Sequence, residues 1–289
     1  MNKISKDQRL ELYLGDKEFG STPPKDEGIR FDAPFLFRDG IESRQNYDRD
    51  ILRYMSYAKE KDIWFQCGDG SYLGTPYPVL VKVRDRTHPS ANGVLANLNS
   101  WRHWTLGFAD CEWEQKKWDW IWRGSDTGHE RIKFIELYNK QYDAGFSQLV
   151  GKSKFDPERY KKETGEYLKP IISPTQMLQY KYLPVIDGND KSSSLNWVLF
   201  SNSVPILACP RYHSWLCESY LEPYVHYVPM RDDFTDLLVQ IEWCREHDAE
   251  CKQIAQNGRE FIMNFLDPEV ELDIERSLIN EVIRITNNN

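Results

Sequence analysis

Gly188-Asn-Asp-Lys-Ser-Ser-Ser-Leu-Asn-Trp-Val-Leu-Phe-Ser-Asn-Ser203 is a polar, glycine-started run set between two apolar ones. Before it stands Tyr182-Leu-Pro-Val-Ile186, closed by Asp187; after it stands Val204-Pro-Ile-Leu-Ala208. The order reads strand, Gly/Asn/Ser loop, short amphipathic helix, strand. Small hydroxyl and amide residues feeding a helix N-terminus form an anion cradle, because free backbone N–H groups and the helix dipole both favour negative charge.

Outward from this stretch, strands and helices alternate. Val79-Leu-Val-Lys-Val83 is β-branched and apolar, as a buried strand requires, and it ends in Arg84-Asp-Arg86. Charged residues at the end of a buried strand tend to face a cleft. Residues 46–62 carry helical spacing at Ile51, Leu52, Met55 and Ala58, and Trp64-Phe65 begins a short strand. Trp120-Ile-Trp122 reads as a strand that stops at Arg123-Gly124; Ser125-Asp-Thr-Gly128 is a turn and 130–140 a helix. Residues 151–170 form a charged excursion. Ser173 caps a helix with Pro174 at its first position. Residues 223–228 read as a strand, and Asp232-Asp233 as the cap of a helix through Leu237 and Ile241. Helices at 248–266 and 268–286 follow, the last with an apolar stripe at Val270, Ile274, Leu278, Val282 and Ile285. This alternation predicts an α/β protein with parallel sheets and ligands at the carboxyl ends of the strands.

With 289 residues, 40% of them hydrophobic, the chain can build one large domain or two. The formal charge of −8 argues against a nucleic-acid binder, which would carry a basic stripe. The polar start, Asn2-Lys-Ile-Ser-Lys-Asp-Gln-Arg9, predicts no signal peptide and no membrane span, hence a cytoplasmic protein. Six scattered cysteines without a CxxC pair read as buried free thiols in a reducing compartment.

Four blocks in fixed order resemble glycosyltransferase family 90: Val81-Lys-Val-Arg-Asp85; Trp122-Arg-Gly-Ser125 with Arg131; Tyr180-Lys-Tyr182 through Ser203; and Trp215 through His226-Tyr227. The resemblance spans roughly residues 75–265 and is nearest to the bacterial LpsA-like branch, with its Gly-Asn-Asp, Leu-x-Trp and Ser-Asn-Ser. It implies a GT-B fold, two Rossmann-like domains facing a central cleft, with the C-terminal helices packing back toward the N-terminal domain. The expected boundaries are 1–112 for an acceptor-binding domain, rejoined by a helix at 267–289, and 113–266 for a nucleotide-sugar domain. It further implies inverting transfer of glucose or xylose from a UDP-sugar to a glycan hydroxyl, with the UDP-sugar as co-substrate and neither metal nor cofactor. A non-catalytic binding protein and a retaining transferase of the same fold are the competing readings.

Within that resemblance Asp85 matches the family's catalytic aspartate, the base that takes the acceptor's proton. An ion pair with Arg84 or Arg86 is its competing role. Lys82 and Arg84, from the same block, are assigned to the acceptor. Arg131, after Gly124, Ser125 and Thr127, would clamp the diphosphate through its planar, permanently charged fork. Gly188, Asn189, Asp190, Lys191, Ser192, Ser193 and Ser194 would surround the sugar and diphosphate, with Ser192 or Ser193 as helix N-cap. Ser194 stands where animal relatives carry arginine, a clamp that Lys191 could replace. Glu218 either accepts hydrogen bonds from ribose or sugar hydroxyls or forms a structural salt bridge.

Trp101, Trp104, Trp113, Trp118, Trp120 and Trp122 invite sugar stacking, but packing is the commoner use of each. His103 and His226 read as structural. Asp48-Arg-Asp50 spells an acidic pair like that of metal-dependent transferases, but it falls in a helix with no strand before it, so no metal is expected there.

Overall fold

The computed structural model describes residues 3–16, 18–25, 34–36, 46–59, 61–88, 90–150 and 165–288. Most of the charged excursion expected at 151–170 lies outside them. The chain divides into two compact units. A terminal unit takes residues 2–104, 211–220 and 263–289, and a central unit takes 105–210 and 221–262. The expected boundary at 112/113 therefore lies inside the central unit, and ten residues expected in the nucleotide-sugar domain, 211–220, belong to the terminal one.

The terminal unit holds β1 (Phe35–Leu36), β2 (Trp64–Gln66), β3 (Val79–Val81), β4 (Val83–Asp85) and β5 (Val94–Leu95). Its sheet runs β1-β2-β3-β5, with β1 antiparallel to β2 and the other pairings parallel. The strand expected at 79–83 breaks at Lys82. Its first half stays in this sheet, and its second half, β4, leaves to pair with a different strand.

The central unit holds β6 (Lys117–Trp120), β7 (Trp122–Ser125), β8 (Ala144–Gln148), β9 (Tyr180–Pro184) and β10 (Val204–Leu207). Then β11 (Tyr212–Ser214) crosses to the terminal unit and pairs antiparallel with β4, setting Tyr212 opposite Asp85. The last strand, β12 (Val228–Pro229), returns to the central unit. Its sheet has the order β12-β10-β9-β6 with every pairing parallel. Parallel neighbours need crossovers, and the Ser194–Leu199 helix supplies the one from β9 to β10. A parallel pair, β7 and β8, stands beside it as a separate sheet. Buried side chains from Trp120, Trp122, Phe134, Tyr182, Ile206, Ile241 and Ile254 fill the central core.

The strand expected at 223–228 shortens to β12. Residues 222–226 instead turn on themselves: the amides of Val225 and His226 donate to the Glu222 carbonyl, and Tyr224 sits at φ 58°. The helix expected to start at Asp232-Asp233 starts at Leu237, because Asp233 spends its carboxylate on the backbone and hydroxyl of Thr235. Ser173 does cap its helix, with Gln176 completing the reciprocal capping box.

The terminal unit is tied to its own C-terminal helix, Pro268–Asn288. Arg9, 1% exposed, forks onto Glu271, and Arg53 forks onto Glu275. Asp50, half of the acidic pair noted above, accepts from the backbone and hydroxyl of Ser100 and from Arg53. That fixes the start of a short helix, a structural task. The tryptophans divide: Trp113, Trp120 and Trp122 are buried, while Trp101 and Trp118 are half exposed. Trp118 lies over the buried Lys181 ammonium, 3.4 Å from ring centre to Nζ, and Lys181 pairs with Asp248. Of the six cysteines, all free, Cys209 is exposed and Cys111 partly so.

Candidate functional site

In the central unit the carboxyl ends of β7 and β9 lead into two loops that touch through glycines. Gly128 has φ +76°, and a Cβ there would fall 2.3 Å from the Gly188 carbonyl oxygen. A Cβ on Gly188 would in turn meet Thr127 Oγ1 at 2.8 Å and the Arg131 guanidinium carbon at 3.2 Å. Neither position has room for a side chain, so the backbones close on each other and on Arg131.

Arg131 stands in the first turn of the His129–Tyr138 helix and is buried. Its Nε donates to the Ile186 carbonyl (3.2 Å), and its Nη1 donates to the Ser125 carbonyl (3.2 Å) and to Thr127 Oγ1 (2.9 Å). Both carbonyls lie at strand ends, where a parallel sheet binds its ligands. The helix N-terminus at Gly128 opens beside this cation.

The loop after β9 is folded by its own polar groups. Gly188 N–H donates to the Asp190 carbonyl, and Ser192 N–H to Asp187 Oδ1 (2.8 Å). Ser192 and Ser194 share a hydrogen bond of 2.8 Å between their hydroxyls. Ser193 occupies the N-cap position of the Ser194–Leu199 helix but makes no side-chain capping bond. Lys191 and Asp190 are buried, and Asn189 is exposed. Lys191 donates to Asn196 Oδ1 at 3.0 Å in the interior. Its ammonium thus braces the loop from within. Asp187, not among the residues singled out from sequence, is pushed up to about 6 by burial. The Ser192 amide and the charges of Arg131 and Lys191 pull it the other way, and Asp190 adds to the rise. Its position as the first polar residue after an apolar strand was the signal that could have marked it.

In the terminal unit Asp85 closes β4 and is 9% exposed. Arg84, one of the two neighbours expected as its partner, is spent on backbone carbonyls instead. Its Oδ1 accepts from Thr87 N–H (2.8 Å) and Thr87 Oγ1 (2.7 Å), and its Oδ2 from Arg211 Nε (3.0 Å) and Nη2 (2.6 Å). Burial pushes the carboxyl up, but the bonds from Arg211 and Thr87 outweigh it, so Asp85 lies below the usual carboxylate range. Asp85 lines a cavity of about 330 Å³ together with Arg84, Asn92 and His213.

The two residues assigned to the acceptor are both occupied. Lys82, buried, pairs with Asp69 at 3.0 Å. Arg84 donates to the Leu12 and Tyr13 carbonyls at the end of the Lys6–Leu14 helix and to the Gly93 carbonyl (3.0 Å), so it serves as a helix C-cap. Glu218 also falls in the terminal unit, 1% exposed, where its carboxylate accepts from Ser214 N–H (2.7 Å) and Ser214 Oγ (2.6 Å). Those bonds fold the turn after β11, so Glu218 sits in a different unit from the loops at 124–131 and 188–194. The sequence offered no sign of this, because β11 changes units without a change in composition.

A family model for glycosyl transferase family 90 matches residues 33–283. The chain belongs to that family. The chain is 32% identical over 227 residues to the O-glucosyltransferase LpsA of Dichelobacter nodosus, covering 78% of this chain and 68% of that protein. It is 29% identical over 279 residues to protein 035R of Invertebrate iridescent virus 3, covering 88% of this chain but 24% of the viral one. It is 32% identical over 157 residues to protein O-glucosyltransferase 2 of Danio rerio, covering 53% of this chain and 30% of the fish protein. The chain thus spans less than a third of the viral and fish relatives. A solved sucrose-phosphate synthase from Thermosynechococcus elongatus overlaps at a TM-score of 0.35 and 10% identity, over 63% of this chain and 52% of that one, a likeness on which nothing rests here. This family 90 chain has, among its described residues, no helix long and apolar enough to cross a membrane and no group of three His, Cys, Asp or Glu side chains fit to hold a metal ion.

Proposed function

We propose that this chain transfers glucose or xylose from a UDP-sugar to a glycan hydroxyl, with inversion, without a metal, and on a GT-B arrangement of its two units. The observation that carries the reading is the Arg131 cradle: a buried guanidinium, a helix N-terminus and two abutting glycines at the carboxyl ends of parallel strands. Such a place suits a diphosphate, because its N–H dipoles and its cation are already oriented when the ligand arrives. The names of the LpsA and fish relatives support glucose as the sugar.

In this reading the acceptor oxygen attacks the anomeric carbon while the bond from that carbon to the UDP oxygen breaks. Asp85 takes the acceptor's proton, and the charge that builds on the departing diphosphate meets Arg131. The ion pair with Arg211 keeps Asp85 ionised at neutral pH but also makes it a weak base. Arg211 therefore has to loosen its hold as the proton arrives. Its side chain is 48% exposed, which leaves it room to do so.

A screen of UDP-sugars reading UDP release tests the donor. Asp85→Asn should then lower transfer by about 10²–10⁴-fold, the usual contribution of a general base, with UDP affinity retained. Transfer by Asp85→Asn at the wild-type rate would remove Asp85 from the mechanism. An α-linked product from an α-linked donor, read by NMR, would overturn inversion. Binding of UDP-sugars without turnover of any would favour a non-catalytic binding protein.

A further inference from the structure

Two arms of different kinds hold the Asp85 carboxylate, one on each oxygen, and both lie in the terminal unit. Oδ1 accepts from the Thr87 N–H (2.8 Å) and from Thr87 Oγ1 (2.7 Å), two residues along the chain, the spacing of an Asx turn. Oδ2 accepts from Arg211 Nε (3.0 Å) and Nη2 (2.6 Å), 126 residues away. The Thr87 arm is short and local. The backbone beneath it is tied on both sides, because the Asp85 N–H donates to Ser71 Oγ and the Asp85 carbonyl accepts from the His88 N–H (3.4 Å). The Arg211 arm is a long side chain, 48% exposed, on a backbone whose carbonyl accepts from the Arg86 N–H (2.9 Å). Its main chain is therefore held to β4, and only its side chain can swing.

An aspartate's last bond turns readily, yet a base must meet its proton in one orientation. An oxygen that already accepts two short bonds has little to offer a third donor. When the Arg211 side chain swings away, Oδ2 becomes the open oxygen while Oδ1 stays tied to Thr87. We propose that Thr87 is a positioning residue, which anchors Oδ1 and so keeps Oδ2 in place to take the proton once Arg211 lets go. The proton transfer rests on the transferase reading of Asp85; the anchoring of the carboxylate does not. Two roles for the Thr87 hydroxyl predict opposite kinetics. A hydrogen bond to the ionised form weakens a base, so a hydroxyl that only tuned Asp85 would, when removed, leave kcat level or raise it. Removal of an anchor lets the carboxylate turn and lowers kcat.

Thr87→Val gives the test, because it removes the hydroxyl, keeps the side chain's shape and leaves the Thr87 N–H in place at an exposed position. At neutral pH it should lower kcat for UDP release from UDP-glucose, with water or methyl glucoside as acceptor, about tenfold, the size expected for one hydrogen bond to a charged group. KM for UDP-glucose should not change, and Thr87→Ser should restore the rate. Thermal unfolding checks the fold, and Thr87→Ala replaces the valine variant if that melts early. NMR titration of the whole protein, with carboxyl-labelled aspartate and the Asp85 signal identified by its loss in Asp85→Asn, reads the anchor without turnover. That signal should titrate at higher pH in Thr87→Val than in wild type, because the carboxylate has lost a bond that favoured its charge. A kcat at or above the wild-type value in Thr87→Val, or no recovery in Thr87→Ser, overturns the positioning role. An unchanged Asp85 titration overturns the anchor whatever the turnover, whereas wild type that releases no UDP counts against the transferase reading.

Discussion

Arg131 in the central unit and Arg211 in the terminal unit hold their partners in opposite ways. Arg131 is 9% exposed and is pinned by two backbone carbonyls and a hydroxyl, all set by strand ends and a glycine turn. Arg211 has a half-exposed side chain and grips the Asp85 carboxylate with two of its nitrogens. Backbone groups cannot move without moving the sheet, whereas an exposed side chain can swing on its own. One region is therefore built to stay, which suits the diphosphate clamp proposed for it; the other is built to yield, which suits the partner of the proposed base.

The contrast breaks most easily at its rigid side. Gly128→Ala places a methyl against Gly188 and forces a non-glycine residue to φ +76°, so it should cost about 1–3 kcal/mol of stability, read as a lower unfolding temperature. It should also weaken UDP binding by spreading the two loops. Arg131→Lys keeps the charge but loses the fork, and UDP affinity measured by calorimetry should fall about tenfold or more. An affinity unchanged by that replacement would mean that Arg131 is only a brace.

A middle-sized effect is expected from Asp187. With its carboxyl raised to about 6, it is an anion at neutral pH and neutral below that value. A diphosphate brings negative charge to the same loop, so binding favours the protonated form. UDP-glucose affinity should climb severalfold as pH falls through about 6, and Asp187→Asn should flatten the profile. The nucleotide sugar is the ligand to use, because a terminal phosphate such as that of free UDP titrates near pH ~6 itself.

The smallest effect belongs to the yielding side. Arg211→Ala removes the interactions that hold Asp85 below the usual range, so the acid limb of the pH–rate profile should move up toward an ordinary carboxylate near ~3.9. Because the arginine is half exposed, the change should stay below about 1 kcal/mol. A loss as large as that of Arg131→Lys would put both arginines in the rigid class and end the comparison.

Local signals carried the central unit well. The strands around residue 188, the helix start at Ser173 with Pro174, and the glycine turn before Arg131 all depend on residues within a few positions of each other. β8 escaped because Ala144-Gly-Phe-Ser-Gln148 has no β-branched residue; pairing with β7 makes it a strand. The surroundings of Asp85 were hidden for a different reason. Its partner Arg211 lies 126 positions away, and Asn92 and His213 are joined to the same cavity only through β4–β11 pairing. Adjacent Arg84 and Arg86 were the natural candidates by spacing, yet Arg84 is spent on the end of a helix 72 residues earlier. Glu218 misled for the same reason, since nothing in its neighbourhood announces a change of unit.

The grip of Arg9 on Glu271 and of Lys6 on Asp273 spans more than 260 residues. The helix that receives it, Pro268–Asn288, leaves a ribosome long after Lys6–Leu14 does. The central unit, complete by residue 262, has all its pieces first. During synthesis the buried Arg9 must therefore stay solvated until Pro268–Asn288 appears, so the terminal unit closes later than the central one.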